Sequence, residues 1–204
     1  RIFNELMKIL NLKNFENILK HHNKKEIFSK IFPELKHLQR LKRLIEIKKI
    51  IKLDKKILLT TLLIDDTDNQ EYFAYKYNVP NELKRELNLY NKNFSLFIKN
   101  KNLFSDDLNK NIYIYGKNHL IFLNTILFTA NPNFTISDYL KINNIIVNYK
   151  TPKFPIDGRY LMRNGMKEGE ALGKVLKILE KEWMTNGFKV SKDRVKEIIK
   201  LNVN

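Results

Sequence analysis

The sequence contains no cysteine, and it uses proline and glycine sparingly, with five and six respectively among 204 residues. The absence of cysteine excludes disulfides, cysteine-ligated zinc sites and thiol catalysis. It also fits the reducing cytoplasm, which is the location we expect for this protein. No apolar run approaches the ~20 residues that a membrane-spanning helix needs. The first residues show no signal-peptide pattern, and we therefore expect no membrane partner.

Acidic residues are the second shortage. The chain carries 22 of them against 38 lysines and arginines, a formal net charge of +16. A charge of this size indicates a polyanionic partner, most often nucleic acid. The excess is concentrated between Lys20 and Lys56, where 13 basic residues face four acidic ones. The alternative is a drift of composition toward Lys, Asn and Ile, which would leave the lysines as an ordinary solvated surface.

Apolar residues recur at spacings of three and four along most of the chain, which is typical of amphipathic helices packed on one another. Strict alternation is rare, and we interpret its one instance, Ile112 to Tyr115, as helix. The sequence therefore predicts an all-α, multi-helix array. The stripes that carry this prediction include Ile2, Leu6, Ile9 and Leu10; Leu35, Leu38, Leu41, Leu44 and Ile45; Ile57, Leu58, Leu62 and Ile64; and Tyr139, Leu140, Ile142, Ile145 and Ile146.

Helix-breaking residues predict where these helices begin and end. Pro33 with Glu34 opens one helix, and Ser137 with Asp138 caps another. Two prolines make residues 151–155 extended, because proline disfavours α geometry in the residue before it. We place a boundary there, and divide the chain into residues 1–52, 53–150 and 151–204.

The last of these segments contains the most specific pattern. It reads Phe154-Pro155-Ile156-Asp157-Gly158-Arg159-Tyr160-Leu161-Met162, followed by Gly165, Gly169, Leu172-Gly173 and Leu176. This order resembles the C-terminal end of bacterial CCA-adding enzymes and their poly(A) polymerase relatives. Two earlier segments resemble the same family, namely Arg1-Ile2 to Glu5-Leu6 and Ile27-Phe28 to Ile31-Phe32-Pro33-Glu34. The resemblance implies a fold like the C-terminal helical region of class II tRNA nucleotidyltransferases.

The resemblance also implies roles for particular residues. Arg1 and Glu5, on one helical face, would support the nucleotide-recognition helix of a preceding segment. Phe28, Ile31 and Phe32 would form a packing motif. Residues 1–52 would be neck and body helices, 53–150 a helical body, and 151–204 a tail, which together bind tRNA or another RNA. The candidate RNA contacts are Lys36, Arg40, Lys42, Arg43, Lys153, Arg159, Arg163, Gly165, Lys167, Gly169 and Lys174.

The catalytic residues of that family would lie upstream of Arg1, in a head domain on the same or a separate chain. There a D-x-D pair would hold Mg²⁺ with ATP or CTP. We assign this chain no catalytic residue, no metal ligand and no cofactor of its own. The only similar string, Asp66-Thr67-Asp68, is interpreted as a loop and helix cap. The histidines show no metal-ligand pattern; they are His21, His22, His37 and His119.

Two alternatives stay open at this point. In the first, the chain is a stand-alone RNA-binding remnant of a split gene. In the second, it is a helical protein-interaction module whose lysine enrichment is incidental. If the chain belongs to a nucleotidyltransferase, the sequence leaves open whether the parent enzyme adds CCA, a single A or poly(A). The residues that select the base would lie in the head.

Overall fold

In the computed structural model, residues 1–51, 54–100 and 104–202 are described, apart from the side chain of residue 19. Over these residues the chain forms twelve α-helices and no β-strand, which confirms the all-α prediction. The helices are α1 Ile2–Leu10, α2 His22–Ile31, α3 Leu41–Ile47, α4 Lys55–Leu63, α5 Asn69–Lys76, α6 Asn81–Lys99, α7 Leu108–Tyr115, α8 Lys117–Ala130, α9 Ile136–Asn148, α10 Gly158–Arg163, α11 Glu170–Thr185 and α12 Lys192–Asn202. Phe15–Lys20 and Leu38–Arg40 form short 3₁₀ helices.

Two helix ends coincide with helix-breaking residues. Helix α6 starts directly after Pro80, and α8 ends at Ala130, before the Asn-Pro-Asn turn. The ambiguous Ile112 to Tyr115 segment is helical, as the last part of α7. Residues 149–157 are free of regular structure, as the two prolines require.

One predicted helix start is wrong, and one predicted cap is correct for only one of its two residues, Asp138. No helix begins at Glu34; the chain turns there, and the next α-helix starts at Leu41. The reason is that the His37 amide donates to the distant carbonyl of Leu62 (3.3 Å). This amide is therefore not available for a hydrogen bond within a helix. Helix α9 begins one residue before Ser137, and its first turn carries a capping box. In this box Asp138 accepts from the Thr135 amide (3.3 Å), and the Thr135 hydroxyl accepts from the Asp138 amide (3.1 Å).

The chain divides into two compact units. The first comprises residues 1–108 and 115–148, and the second comprises 109–114 and 149–204. Residues 1–52 and most of 53–150, which the sequence analysis separates, therefore share one compact unit. Lys52 and Leu53, on either side of that expected boundary, lie outside the described residues.

Helices α4 and α8 occupy the interior of the first unit. Every residue of α4 from Ile57 to Leu63 is buried, and α8 is buried at Leu120 and from Leu123 to Thr129. A helix that is apolar on all sides needs neighbours on all sides. Accordingly, α8 packs against α3, α4, α6 and α9, and α4 also packs against α1.

The second unit has its own apolar core, between α10, α11 and α12. Trp183 closes this core, 3% exposed, and its ring lies 4.9 Å from Phe188 and 5.3 Å from both Tyr113 and Phe154. Trp183 is therefore a buried residue of the second unit. The buried members of the core are Ile156, Leu161, Met166, Val175, Leu179, Val195, Ile198 and Ile199. In neither unit is any described helix both long and apolar enough to traverse a bilayer.

Candidate nucleic-acid interface

The Pro-Ile-Asp-Gly motif of the second unit builds the start of helix α10. Ile156 is buried in the core, and Asp157 caps α10 by accepting from the Tyr160 amide (2.8 Å). A side chain at Gly158 would come within 3.3 Å of Leu172 on α11, so glycine permits close packing there. These three positions thus have structural roles that fix where α10 presents its exposed residues.

Gly165 and Gly169 shape the connection from α10 to α11. The Gly165 amide donates to Met162 and the Met166 amide to Leu161, which is the hydrogen-bond pattern of a Schellman C-cap. Gly165 has φ +97° and Gly169 has φ +150°, both in the region that favours glycine. Both residues are exposed, and both were candidate RNA contacts. Their backbone conformations are sufficient to explain why glycine stands at each position.

Basic side chains of the second unit lie exposed along this same connection. Lys153, Arg159, Arg163 and Lys167 are all exposed, and none forms an ion pair with any residue the structure describes. Lys174 differs, because its ammonium lies 2.7 Å from Glu170 one turn earlier in α11. Four of the five candidate basic contacts in this unit are therefore free to meet an anion.

Most acidic side chains of the second unit have partners. Asp157 caps α10, and Glu180 accepts from the Tyr113 hydroxyl, which together with burial raises the pKa of Tyr113 to about 12. Arg194 binds both Glu182 (2.8 Å) and Glu197 (2.9 Å). Residues 153–167 contain four basic side chains and one carboxylate, that of Asp157, so the segment keeps a local excess of positive charge.

In the first unit, the four candidate RNA contacts divide into two groups. Lys36 and Lys42 are exposed, as an RNA contact requires. Arg40 is only 9% exposed and donates to the carbonyls of Thr61 (3.1 Å) and Ile64 (2.6 Å), at the end of α4. Burial lowers the pKa of Arg40 to about 10. The expectation that Arg40 contacts RNA is therefore corrected: its guanidinium satisfies the C-terminal carbonyls of a buried helix.

Arg43 is likewise occupied within the fold. It donates to the carbonyls of Asn131 (2.8 Å) and Phe134, and its guanidinium lies 4.1 Å from the centre of the Phe128 ring. These contacts join α3 to the loop after α8. The basic residues between 36 and 51 do not share one helix, because this region forms a 3₁₀ turn followed by the short α3.

Arg1 and Glu5 lie at the start of α1, and both are exposed. Glu5 pairs with Lys8 (2.9 Å) rather than with Arg1, although the two residues are four apart. The expected packing of Ile31 is wrong, because Ile31 is 55% exposed while Phe28 and Phe32 are buried. The proposed support role of Arg1 and Glu5 concerns a segment beyond this chain and stays a prediction.

The sequence analysis does not predict the ion pair that the buried Glu34 forms with the exposed Lys76. Glu34 is 4% exposed, and it accepts from Lys76 (2.6 Å) and from the Tyr77 hydroxyl (2.8 Å). Burial alone would raise the pKa of Glu34, but these two hydrogen bonds outweigh it and hold the pKa below its usual value. The sequence predicts a helix start at Pro33-Glu34, whereas in the structure the Glu34 carboxylate binds Lys76 and Tyr77.

The aspartate-rich segment forms a loop, as predicted. Asp65 accepts from the amide of Thr67 (3.2 Å) and lies 3.3 Å from His37, and the Thr67 hydroxyl accepts from the amide of Asn69, the first residue of α5. Among the described residues, no group of three or more acidic or histidine side chains is placed to hold a metal ion. We therefore derive no step through Mg²⁺ on this chain.

Comparisons with known proteins do not identify a family. No protein-family model matches the chain, and a search of curated proteins found no significant match.

Proposed function

We propose that this chain is the RNA-binding helical part of a CCA-adding or poly(A) polymerase-type nucleotidyltransferase, and that it positions an RNA 3′ end for a catalytic head outside this chain. The motif order of the second unit supports the family. The observation that carries RNA binding is the group of four exposed, unpaired cations between Lys153 and Lys167. Mg²⁺ with ATP or CTP would belong to the head, and the cytoplasm is the compartment in which we place the protein.

The arrangement of charge supports contact with phosphates rather than with bases. Lysine and arginine side chains on an exposed turn present point charges and guanidinium forks to the RNA backbone, and such contacts carry no sequence information. They release condensed counterions, so binding weakens steeply as salt rises. This fits a protein that accepts many tRNAs and adds nucleotides to their common end.

Fluorescence anisotropy with labelled tRNA tests this function. We expect saturable binding at 50 mM salt that weakens by at least tenfold at 200 mM. Reversing the charge of Lys36 and Lys42 together should weaken binding, and both are exposed, so the fold should survive. No nucleotide should be incorporated by this chain alone.

The result also separates the rival functions. A chain that fails to bind tRNA at 50 mM salt is not an RNA-binding module, and the protein-interaction alternative then takes precedence. A chain that binds tRNA but is complete in its source cell at 24.4 kDa is the stand-alone remnant instead.

A further inference from the structure

A cavity of about 540 Å³ lies in the first unit, between the start of α4, the middle of α6 and the first two turns of α8. This volume falls within the range of ~300–1,000 Å³ typical of small-molecule sites. None of its residues was a candidate in the sequence analysis for RNA contact. Its wall consists mainly of Asp54, Glu86, Tyr90, Tyr115, His119 and Phe122, with Lys56 beside the two carboxylates.

The aromatic rings of this cavity form one wall, in which they stack on one another. The rings of Tyr90 and His119 are stacked at 4.4 Å with only 1° between their planes, and Phe122 stacks on Tyr90 at 5.7 Å. The ring of Tyr115 lies 5.6 Å from His119. Asn93, fully buried, lies 2.9 Å from the Nε2 atom of His119 and holds that ring in place.

The wall is also uncharged near neutral pH. Burial lowers the pKa of His119 to about 4, so its imidazole is neutral at pH 7. Because Tyr90 is 6% exposed, a planar ligand entering the cavity meets the half-buried rings of Tyr115, His119 and Phe122, and no histidine cation. Surfaces of this kind favour a planar ring over a flexible apolar chain, because stacking adds to the burial of area.

One side of the cavity carries carboxylates. Asp54 uses its Oδ1 atom to cap α4, accepting from the amides of Lys56 (2.9 Å) and Ile57 (2.8 Å), and its Oδ2 atom makes no hydrogen bond with a described residue. Glu86 pairs with the Lys56 ammonium. Burial, and after it the charges of Glu86 and Asp54, raise the pKa of Tyr90, and all three residues line the same cavity. The cavity thus presents a free acceptor beside an aromatic wall.

We propose that this cavity binds one unstacked guanine base of the RNA. The proposal rests on the proposed function, because it assigns the RNA a second contact. RNA is read mainly where bases leave the helix, stack on aromatic rings and expose their edges. Guanine presents two neighbouring N–H donors on its Watson–Crick edge, which suit a carboxylate, whereas adenine and uracil each present one donor next to an acceptor.

The chain's overall charge favours a nucleotide over a free organic cation in the same cavity. At +16 the protein repels a diffusing ammonium and attracts a phosphate. Glu86 is already neutralised by Lys56, which leaves Asp54 as the one unbalanced carboxylate of the lining. The two neighbouring donors of guanine can share the one free Oδ2 atom of Asp54, and a neutral base brings no charge to be repelled.

Nuclear magnetic resonance of the full chain, titrated with GMP, AMP and UMP, tests the proposal. We expect GMP to shift the amide signals around Asn118 and His119 in a saturable way, at least about tenfold more tightly than AMP. Asp54→Asn keeps a capping side chain but removes the charge, and should abolish this preference. Asp138→Asn changes another capping aspartate of the same unit and should leave GMP binding unchanged.

A second variant covers the case in which Asp54→Asn does not fold. Phe122→Leu removes a ring from the wall and should weaken all three nucleotides by about tenfold, without changing their order. Equal binding of GMP, AMP and UMP would overturn the assignment of guanine. So would shifts produced by spermidine but not by GMP, which would identify an ammonium site.

The failure of this proposal is distinguishable from failure of the proposed function. If tRNA still binds at 50 mM salt while GMP produces no saturable shift, the cavity is not a base site and RNA binding stands. If neither tRNA nor GMP binds, both proposals are wrong.

Discussion

Arg40 and Lys42 lie two positions apart in the same basic run, yet the fold uses them differently. Arg40 is buried with its guanidinium on two carbonyls at the end of α4, and Lys42 is exposed. Sequence analysis treats the two cations alike, because charge does not say which side chain finds carbonyls left without partners at a helix end. The outcome depends on where α4 ends relative to the 3₁₀ turn at 38–40, which is a tertiary relation.

Arg40→Ala should lower the free energy of unfolding by about 2–4 kcal/mol, because it leaves buried carbonyls without donors. Lys42→Ala should change it by less than about 0.5 kcal/mol. Urea unfolding followed by circular dichroism measures both. The effect on tRNA binding should be the reverse. Lys42→Ala should weaken binding, and Arg40→Ala should leave the binding of the folded protein unchanged. Equal stability of the two variants would contradict the role we assign to Arg40.

Glu34 gives stability that depends on pH. Its pKa is lowered in the folded protein, so the stabilisation is present above the ordinary carboxyl pKa and is lost as the pH falls through the folded value. At pH 7, Glu34→Gln should therefore cost about 1–2 kcal/mol in unfolding free energy. The difference from wild type should shrink below about pH 4.5.

The exposed Glu46 of α3 is the matched control for this measurement. Glu46→Gln should leave unfolding free energy nearly unchanged at pH 7 and at pH 4, by the same urea titration. If the Glu34→Gln difference were the same at both pH values, the ion pair with Lys76 would not be the source of the stability.

At the scale of elements, the sequence predicts helices best where apolar periodicity is long. Helices α1 and α9 lie where the stripes place them, and the absence of regular structure at 149–157 agrees with the prolines at 152 and 155. The helix prediction is wrong for residues 33–40. Leu35 and Leu38 have helical spacing and both are buried, yet they do not belong to one continuous helix. Long-range backbone bonds, such as that from His37 to Leu62, compete with local helix formation and leave no trace in the spacing.

Two glycines of the second unit should respond in opposite ways to alanine. Gly165 follows the end of α10, and Gly173 lies inside α11. Gly165 ends α10 with φ +97°, and an added methyl group there meets nothing within 4 Å, so the cost is conformational only. Gly165→Ala should destabilise by about 1 kcal/mol. Gly173 lies inside α11 with equal space, and Gly173→Ala should stabilise by about 0.5–1 kcal/mol.

Fluorescence of Trp183 measures this pair of variants well, because it is the chain's only tryptophan and is buried in the core of the second unit. The urea midpoint of its fluorescence should fall for Gly165→Ala and rise for Gly173→Ala. Two falling midpoints would mean that α11 does not tolerate a methyl group at Gly173, contrary to the space around it.

Over the molecule as a whole, some basic side chains have an acidic partner and others have none. Composition predicts the net charge, and the motifs predict the 153–174 segment as its functional part. Neither predicts which lysines are paired, because the partners come from geometry: Lys174 has Glu170, while Lys153 and Lys167 have none among the described residues. An interface with RNA should use the unpaired group.

The triple variant Lys153→Ala, Arg163→Ala, Lys167→Ala tests this division. If each side chain neutralises one phosphate, the slope of the logarithm of the binding constant against the logarithm of the salt concentration should decrease in magnitude by about 2–3. The control removes the same charge from lysines that are already paired, namely Lys8, Lys30 and Lys174, whose ammonium groups lie 2.9, 2.8 and 2.7 Å from a glutamate. Its slope should stay near that of the wild type. Equal slopes in both triple variants would mean that tRNA senses only net charge, and the 153–167 segment would lose its claim to be the interface.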